Sequence, residues 1–137
     1  MQTFLPFPDF QSSAKVLDWK RLGKQRLEAA QLLKAMNAKG AWSNHPACKM
    51  WEGHMIALQH YHDTMVLEWK SRGYRNTMEL FLPNLDDMIL PSWFGDPAFH
   101  AAHRSNLLRK DPVWYGQFGW TEPHDLPYIW PVRKEAA

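Results

Sequence analysis

The feature that most restricts the fold of this 137-residue chain is a long run of side chains at helical spacing. Pro46 suits the first turn of a helix, Asn44 or Ser43 suits its cap, and Gly73 marks its end. Between these signals, apolar or aromatic positions recur every three or four residues, which places them on one face of an α-helix. The spacing therefore predicts one central helix from about residue 46 to about residue 73. The positions are Ala47, Trp51, His54, Leu58, Tyr61 and Met65.

Two further helices are predicted on either side of the central one. The first begins after Ser12 or Ser13, either of which can cap it, and ends near Gly40. The second covers residues 97–110, with Pro97 at its start and Asp111-Pro112 closing it. In the first helix the apolar residues fall within about one-sixth of a turn at 100° per residue, so this stripe should face the core. They are Leu22, Ala29, Leu33 and Met36.

The remaining segments have no helical period. The first ten residues hold two prolines and three phenylalanines, which indicates an extended arm packed by its aromatic rings. Residues 79–97 are acidic and rich in proline, so we expect an irregular connection with at most one short helical turn. From Val113 onward the chain is typical of a folded coil. Because no stretch alternates like a strand, the prediction is an all-α single domain over residues 1–137, with about three main helices and an irregular aromatic tail.

Composition excludes several classes of protein. Apolar residues make up 45% of the chain, enough for one core, so the protein is neither disordered nor multidomain. Cys48 is the only cysteine, which excludes an internal disulfide framework and a cysteine-based zinc site. No apolar run approaches the roughly 18 to 20 residues that span a bilayer, and the N-terminus lacks a signal-peptide pattern. We therefore expect a soluble, cytoplasmic monomer that does not bind membranes.

Charge is balanced overall but unevenly distributed. Lys and Arg number 16 against 14 Asp and Glu, so net charge alone would not hold the protein on a polyanion. Residues 15–39, however, carry seven basic and two acidic side chains, and further basic clusters end the central helix and lie on the last one. These clusters could neutralise several phosphates. The alternative is that they are ordinary solvated helix faces, because surface Lys and Arg are common.

A carboxylate lies among the cations of the first helix. Arg21, Gln25 and Glu28 fall within about 60° on one flank of the apolar stripe. A carboxylate in such surroundings can orient a cationic intermediate or transfer a proton. The alternative is an ion pair from Lys24 to Glu28, worth a few tenths of a kcal/mol, and this is the commoner arrangement.

Histidines and C-terminal aromatics supply two further candidates. The pairs at 60 and 62 and at 100 and 103 have spacings seen among metal ligands, but no His-Glu-x-x-His motif accompanies them, so we expect no metal. His54 suits a hydrogen-bonded core position, and His103 could contact phosphate. Residues 114–120 hold four aromatics and two glycines, a composition suited to stacking on bases. The alternative is a tail that caps the core.

Several of these segments resemble one family. Residues 112–119, Pro-Val-Trp-Tyr-Gly-Gln-Phe-Gly, are similar to the Pro-x-Trp-Tyr-x-x-aromatic-Gly signature near the C-terminus of the phage-type pyrimidine-dimer DNA glycosylases, the phage endonuclease V family. Gly53-His54, the Lys-Ser-Arg-Gly-Tyr segment at residues 70–74 and the basic first helix through Arg26 are further similarities. The chain length also matches, so the resemblance covers most of the chain.

The resemblance implies a compact helical domain that binds damaged duplex DNA, kinks it and extrudes a nucleotide. It also implies that an N-terminal α-amine attacks the sugar C1′, releases the base as a Schiff base forms, and then eliminates the 3′ phosphate. An α-amine has a pKa near 8, so a useful fraction is neutral at pH 7, and nearby cations raise that fraction. Such chemistry needs no metal and no organic cofactor.

Two departures from the family affect the expected catalytic residues. In the family the initiator Met is removed to expose a small residue, whereas Gln2 is too large for ordinary removal, so the nucleophile would be the amine of Met1 or Lys24. The family also has a Glu shortly before the arginine that matches Arg26, and this chain has none there. Glu28 is the nearest glutamate, and Asp18 is a second candidate.

The predicted function is thus a DNA glycosylase and abasic-site lyase that acts on damaged or modified pyrimidines in double-stranded DNA. The predicted catalytic residues are Met1, Glu28 and Lys24. Two alternatives stay open: a nucleic-acid or nucleotide-binding module of the same fold without the chemistry, and a metal-dependent hydrolase that uses the histidines. The expected DNA contacts are Arg21, Gln25, Arg26, His45, His103, Arg104, Arg109, Lys110, Trp114 and Tyr115.

Overall fold

The structure is a computed structural model that describes residues 2–38 and 45–131. Its helices are α1 (Phe10–Val16), α2 (Trp19–Ala38), α3 (Pro46–Trp51), α4 (Met55–Ser71), α5 (Pro97–Lys110) and α6 (Pro112–Tyr115), with single 3₁₀ turns at Leu85–Asp87 and Gly116–Phe118. The described residues contain no strand, so the all-α prediction is confirmed. The three longest helices, α2, α4 and α5, are the three main helices that were expected. In these ranges no helix is both long and apolar enough to cross a bilayer.

The core forms where α2 packs antiparallel along α4. Gly23, near the start of α2, meets Trp69, near the end of α4. Met36, near the end of α2, lines a pocket with Met55 at the start of α4. The predicted stripe of α2 faces this interface: Leu22, Ala29 and Leu33 are buried and Met36 is partly buried. The central aromatics Trp51 and Tyr61 are buried as predicted.

The predicted first helix is two helices, α1 and α2, with a break at residues 17 and 18. The guanidinium of Arg72 donates to the carbonyl oxygens of Leu17 (2.8 Å), Ala14 (3.1 Å) and Lys15 (3.1 Å). These carbonyl oxygens at the end of α1 therefore accept hydrogen bonds even though the helix does not continue. The cap of α1 is Asp9, whose carboxylate accepts from the Ser12 N–H at 2.8 Å, and not Ser12 or Ser13. Gly40 lies outside the described residues.

The predicted central helix is also interrupted. Gly53 has a φ of +81°, a left-handed conformation that ends α3, and α4 begins two residues later. The apolar spacing continues across the break, which is why the pattern alone indicated one helix. His54 is the N-cap of α4 and contacts the Ile89 carbonyl oxygen at 2.9 Å, so it does not lie in the core as expected.

The bounds of α5 and the acidic connection agree with the predictions, whereas the cap of α3 differs from the predicted Asn44 or Ser43. α3 is capped by His45, whose Nδ1 accepts from the Ala47 N–H at 3.0 Å, while Ser43 and Asn44 lie outside the described residues. α5 has the predicted bounds, with Pro97 in its first turn. The acidic connection before it holds one 3₁₀ turn, as expected. The tail differs from a pure coil in beginning with the short helix α6.

Candidate active site

A cleft of about 460 Å³ opens beside the first half of α2. The N-terminal arm, α2, the end of α5 and the C-terminal tail all contribute to it. Its basic side chains are Lys20, Arg21, Lys24 and Lys110, and its remaining lining includes Gln2, Glu28, Tyr128 and Trp130. The structure therefore brings together five of the predicted site residues, Arg21, Lys24, Gln25, Glu28 and Lys110, in one concave site.

Gln25 ties the arm to the floor of this cleft. Its buried side chain accepts the Phe4 N–H at 3.0 Å and donates to the Gln2 carbonyl oxygen at 2.9 Å. The Tyr61 hydroxyl lies within hydrogen-bonding distance of Gln25 Oε1 and, at 3.0 Å, of the Phe4 carbonyl oxygen. Burial, together with the nearby charge of Glu28, raises the pKa of Tyr61, so its hydroxyl remains a donor. Gln25 thus positions the arm and is too buried to contact DNA.

Two neutral histidines of α5 hold the next residue of the arm. The Leu5 N–H donates to His103 Nδ1 at 2.9 Å, and the Leu5 carbonyl oxygen lies 2.7 Å from His100 Nδ1. Burial lowers the pKa of His103 to about 3 and also lowers that of His100. The expected phosphate contact by His103 is therefore wrong, because the ring is buried, neutral and bonded to Leu5.

Glu28 lies against the start of the described chain. Its Oε2 is 3.3 Å from the Gln2 backbone nitrogen and accepts from Gln25 Nε2 at 3.0 Å. Among the described residues, Glu28 forms no ion pair with Lys24, so that alternative is not what the structure shows. Met1, the predicted nucleophile, lies outside the described residues, but it is bonded directly to the nitrogen that Glu28 contacts.

Asp18, the other candidate carboxylate, has a structural role. It accepts from the Tyr115 hydroxyl at 2.5 Å and from Arg21 at 3.1 Å. Burial opposes the charge of Asp18, but these hydrogen bonds outweigh it and hold the pKa of the carboxyl below its ordinary value. Because Asp18 does not line the cleft, Glu28 is the carboxylate that the site contains.

Gly23, three residues before Arg26, lies close to the end of α4. A Cβ placed on Gly23 would lie 3.0 Å from the ring of Trp69. The Trp69 ring is held by the Arg26 guanidinium, 4.2 Å from its centroid, and by a bond from its N–H to the Arg75 carbonyl oxygen at 2.8 Å. A side chain at residue 23 would press on this ring.

Several expected DNA contacts lie outside the cleft. Arg26 stacks on Trp69 and donates to Asn76 at 2.7 Å, Arg104 pairs with Glu122, and Arg109 bonds Asn106. Tyr115 is fully buried, so direct contact with DNA is excluded for it. Trp114 keeps 38% of its surface exposed. His45 caps α3, and its ring meets Trp130 edge-on with centroids 6.0 Å apart.

Sequence reasoning missed the tail residues Tyr128 and Trp130, which form one wall of the cleft. They lie in a coil between Pro127 and Pro131, where no periodicity marks a buried or functional face. The alternation of aromatic residues between two prolines was the only local signal. In the part of the chain that the structure describes, no group of three or more His, Cys, Asp or Glu side chains is placed to hold a metal ion.

Comparison with known families identifies the family of this chain. A family model described as pyrimidine dimer DNA glycosylase matches residues 1–82, more than half of the chain. The chain therefore belongs to the pyrimidine dimer DNA glycosylase family, a class of DNA-repair glycosylases. The match includes the arm and helices α1 to α4, with Lys24 and Glu28, and ends before the Trp-Tyr segment. No curated protein and no solved structure matches the chain.

Proposed function

We propose that this protein is a DNA glycosylase with abasic-site lyase activity, which acts on damaged or modified pyrimidines in duplex DNA through a Schiff-base intermediate. One observation carries the proposal: the anchored arm holds the start of the chain against Glu28, inside a cleft with four basic side chains. This arrangement supplies an amine, a carboxylate and phosphate-binding cations together, and it uses no metal or organic cofactor.

The proposed reaction begins at C1′ of the damaged nucleotide. The neutral amine attacks C1′ while the bond from C1′ to the base breaks, and the base leaves with the bonding electrons and takes up a proton. The C1′–O4′ bond then breaks with its electrons passing to O4′, which takes up a proton lost by the amine nitrogen, and the sugar ring opens to the Schiff base. Removal of a C2′ proton expels the 3′ phosphate, and water finally hydrolyses the imine to free the amine. Glu28 would stabilise the cationic intermediate and relay these protons.

Two amines are candidates for the nucleophile. The α-amine of Met1 precedes the Gln2 nitrogen by one residue, and that nitrogen is 3.3 Å from Glu28. Lys24 lines the same cleft from α2. We favour the α-amine of Met1, because the arm that leads to it is anchored through the backbone of Gln2, Phe4 and Leu5.

The cleft cations would bind the phosphates beside the extruded nucleotide. Arg21, Lys24 and Lys110 line the cleft. Trp114 has a partly exposed ring, and its N–H donates to the Val16 carbonyl oxygen, close in the chain to the contact between Asp18 and Tyr115. Basic side chains on a bent backbone and an aromatic ring near the kink are common elements of enzymes that extrude nucleotides.

Borohydride trapping tests the proposal directly. The full-length protein is incubated with duplexes that carry an abasic site or one of a panel of pyrimidine lesions, and the adduct is mapped by mass spectrometry. We expect a covalent adduct on the N-terminal peptide, whereas an adduct on Lys24 would move the nucleophile to α2. Salt-dependent binding without any adduct at high protein concentration would favour the binding module without chemistry.

A further inference from the structure

We propose that the acidic connection carries a docking surface for another protein, and that its occupant is a basic amphipathic helix of that protein. The docking surface consists of large apolar side chains that the described residues leave exposed, with exposed carboxylates among them. Its apolar members are Phe81, Leu82, Leu85, Ile89 and Leu90, and its acidic members are Glu79, Asp86 and Asp87. None of these residues lines the cleft, so the docking surface does not depend on the proposed chemistry.

The backbone of the docking surface is fixed on α4 at both ends. Asp63, a buried carboxylate, accepts the N–H of Phe81 at 2.9 Å and that of Leu82 at 2.8 Å. At the other end, His54 Nδ1 lies 2.9 Å from the Ile89 carbonyl oxygen. The connection therefore runs back along α4, and residues 54 and 63 are about 14 Å apart along the helix at 1.5 Å per residue. This length matches two to three turns of a partner helix.

Two side chains project furthest from this support. Leu82 is 76% exposed and Ile89 is 71% exposed, so neither contributes much to the core. Leu82 also has a φ of +50°, a left-handed conformation that is uncommon for leucine, and its bond to Asp63 holds it there. Large apolar side chains that are held outward in one strip are typical of surfaces that bind another protein.

A pocket of about 330 Å³ adjoins the strip where the end of α2 meets the start of α4. Asp87 and Ile89 of the docking surface line this pocket together with Met36, Met55 and Ile56. Methionine side chains adapt to the shape of a ligand, so the pocket suits an apolar anchor from the partner. The carboxylate of Asp87 lies beside that anchor and suits a neighbouring Lys or Arg.

Charge selects the class of partner. Residues 79–97 contain four acidic side chains and no Lys or Arg. This charge repels the phosphates of DNA and of anionic lipids and attracts a basic protein segment. A helix with one apolar and one basic face satisfies both the strip and the carboxylates. The pocket at Met36 lies about 18 Å along α2 from Lys24 in the cleft, so DNA and the partner can bind together.

Binding of a synthetic probe to the full-length protein tests the docking surface by fluorescence anisotropy. The probe is a labelled helical peptide of about 14 residues with leucines on one face and lysines on the other. It should bind about tenfold or more tightly than the same peptide with glutamates in place of lysines. Ile89→Gln should weaken binding about tenfold or more, because it removes buried apolar surface. The double change Asp86→Asn with Asp87→Asn should weaken binding and reduce its dependence on salt.

Leu27→Gln is the matched control, because Leu27 is an exposed leucine of α2 that lines neither the cleft nor the pocket at Met36. It should bind the lysine peptide like the wild type. Leu82→Asn is a second loss variant, since asparagine tolerates the left-handed conformation, and it should weaken binding like Ile89→Gln. Circular dichroism spectra that match the wild type show that each variant is folded.

Three results would overturn the docking surface as a site for a basic helix. The first is no binding of the lysine peptide, or equal binding of the lysine and glutamate peptides. The second is an equal loss of binding in Leu27→Gln and Ile89→Gln. The third is self-association of the wild type, or binding to phosphatidylserine vesicles, that Ile89→Gln abolishes, since this would assign the surface to a second copy or to a membrane.

Discussion

Glu28 is the residue on which the proposed chemistry most depends. Its carboxylate is half-exposed in the cleft, accepts from Gln25 at 3.0 Å, and lies 3.3 Å from the backbone nitrogen of Gln2. Helical spacing alone placed Arg21, Gln25 and Glu28 on one flank, and all three line the cleft. The spacing did not show their different roles. Arg21 pairs with Asp18, Gln25 is buried under the arm, and Glu28 contacts the backbone nitrogen of Gln2.

Glu28→Gln should lower the rate of Schiff-base trapping on abasic DNA by about 10²-fold or more. The amide keeps the size of the side chain but removes both the negative charge and the proton acceptor. Stopped reactions with borohydride measure the rate, and a fluorescence titration of abasic duplex should show unchanged affinity. Glu79→Gln, an exposed change in the acidic connection, is the control. A Glu28→Gln protein that traps at the wild-type rate would remove Glu28 from the mechanism.

At the scale of elements, the contact between the arm and α5 decides whether the amine is held in place. The backbone of Leu5 is bonded on both sides by imidazoles, from His103 and His100, and Arg104 donates to the Pro6 carbonyl oxygen at 2.7 Å. Both histidines have lowered pKa values because they are buried. The docking of the arm therefore depends on two uncharged rings.

Acidification should destabilise the fold through this contact. The pKa of His103 is about 3 in the folded protein against an ordinary value of 6.5. Below pH 6.5 the unfolded chain binds a proton that the folded chain does not, so the free energy of unfolding falls from pH 6.5 toward pH 3. His103 alone should remove about 2 kcal/mol between pH 7 and pH 5. Urea unfolding at pH 7, 6 and 5 measures the change.

His103→Gln should flatten this dependence on pH, because it removes the titrating group. His124→Gln, at an exposed position of the tail, should leave the dependence as in the wild type. An equally steep loss of stability in the His103→Gln protein would show that the arm contact is not its source.

Some helix boundaries are determined by the local sequence, and others by tertiary contacts. The bounds of α5 follow from Pro97 and from the Asp111-Pro112 pair, which act through local backbone geometry. The break between α1 and α2 depends on Arg72, which reaches back 55 residues to the Leu17 carbonyl oxygen. The spacing of residues near position 17 therefore cannot predict the break between α1 and α2.

For the whole molecule, the net charge of +2 is the sum of unevenly distributed basic and acidic side chains. Four cations line one cleft, while Glu79, Asp86 and Asp87 are exposed along the acidic connection. Binding to DNA should therefore depend on the cleft and not on the total charge, since each neutralised phosphate releases counterions.

Lys20→Ala and Lys110→Ala should each lower the slope of log K against log salt by about 1, with a uniform loss of affinity across DNA sequences. The two residues lie on α2 and at the end of α5, so they sample different sides of the cleft. Lys49→Ala is the matched control, because Lys49 lines a different pocket. Titrations of an undamaged duplex over a series of salt concentrations measure the slope. Equal slopes in all four proteins would place the DNA elsewhere.

The sequence by itself determined the helical class, the basic character of α2, the buried stripe and the flank that carries Glu28. These properties follow from the 3.6-residue period and from residue type, which act locally. Only the tertiary structure decided that the arm passes over Gln25, that His103 is a neutral clamp, and that the tail completes the cleft. The arm and the tail have no period, and their positions depend on partners on another element, such as His103 for Leu5 and Ser105 for Leu126.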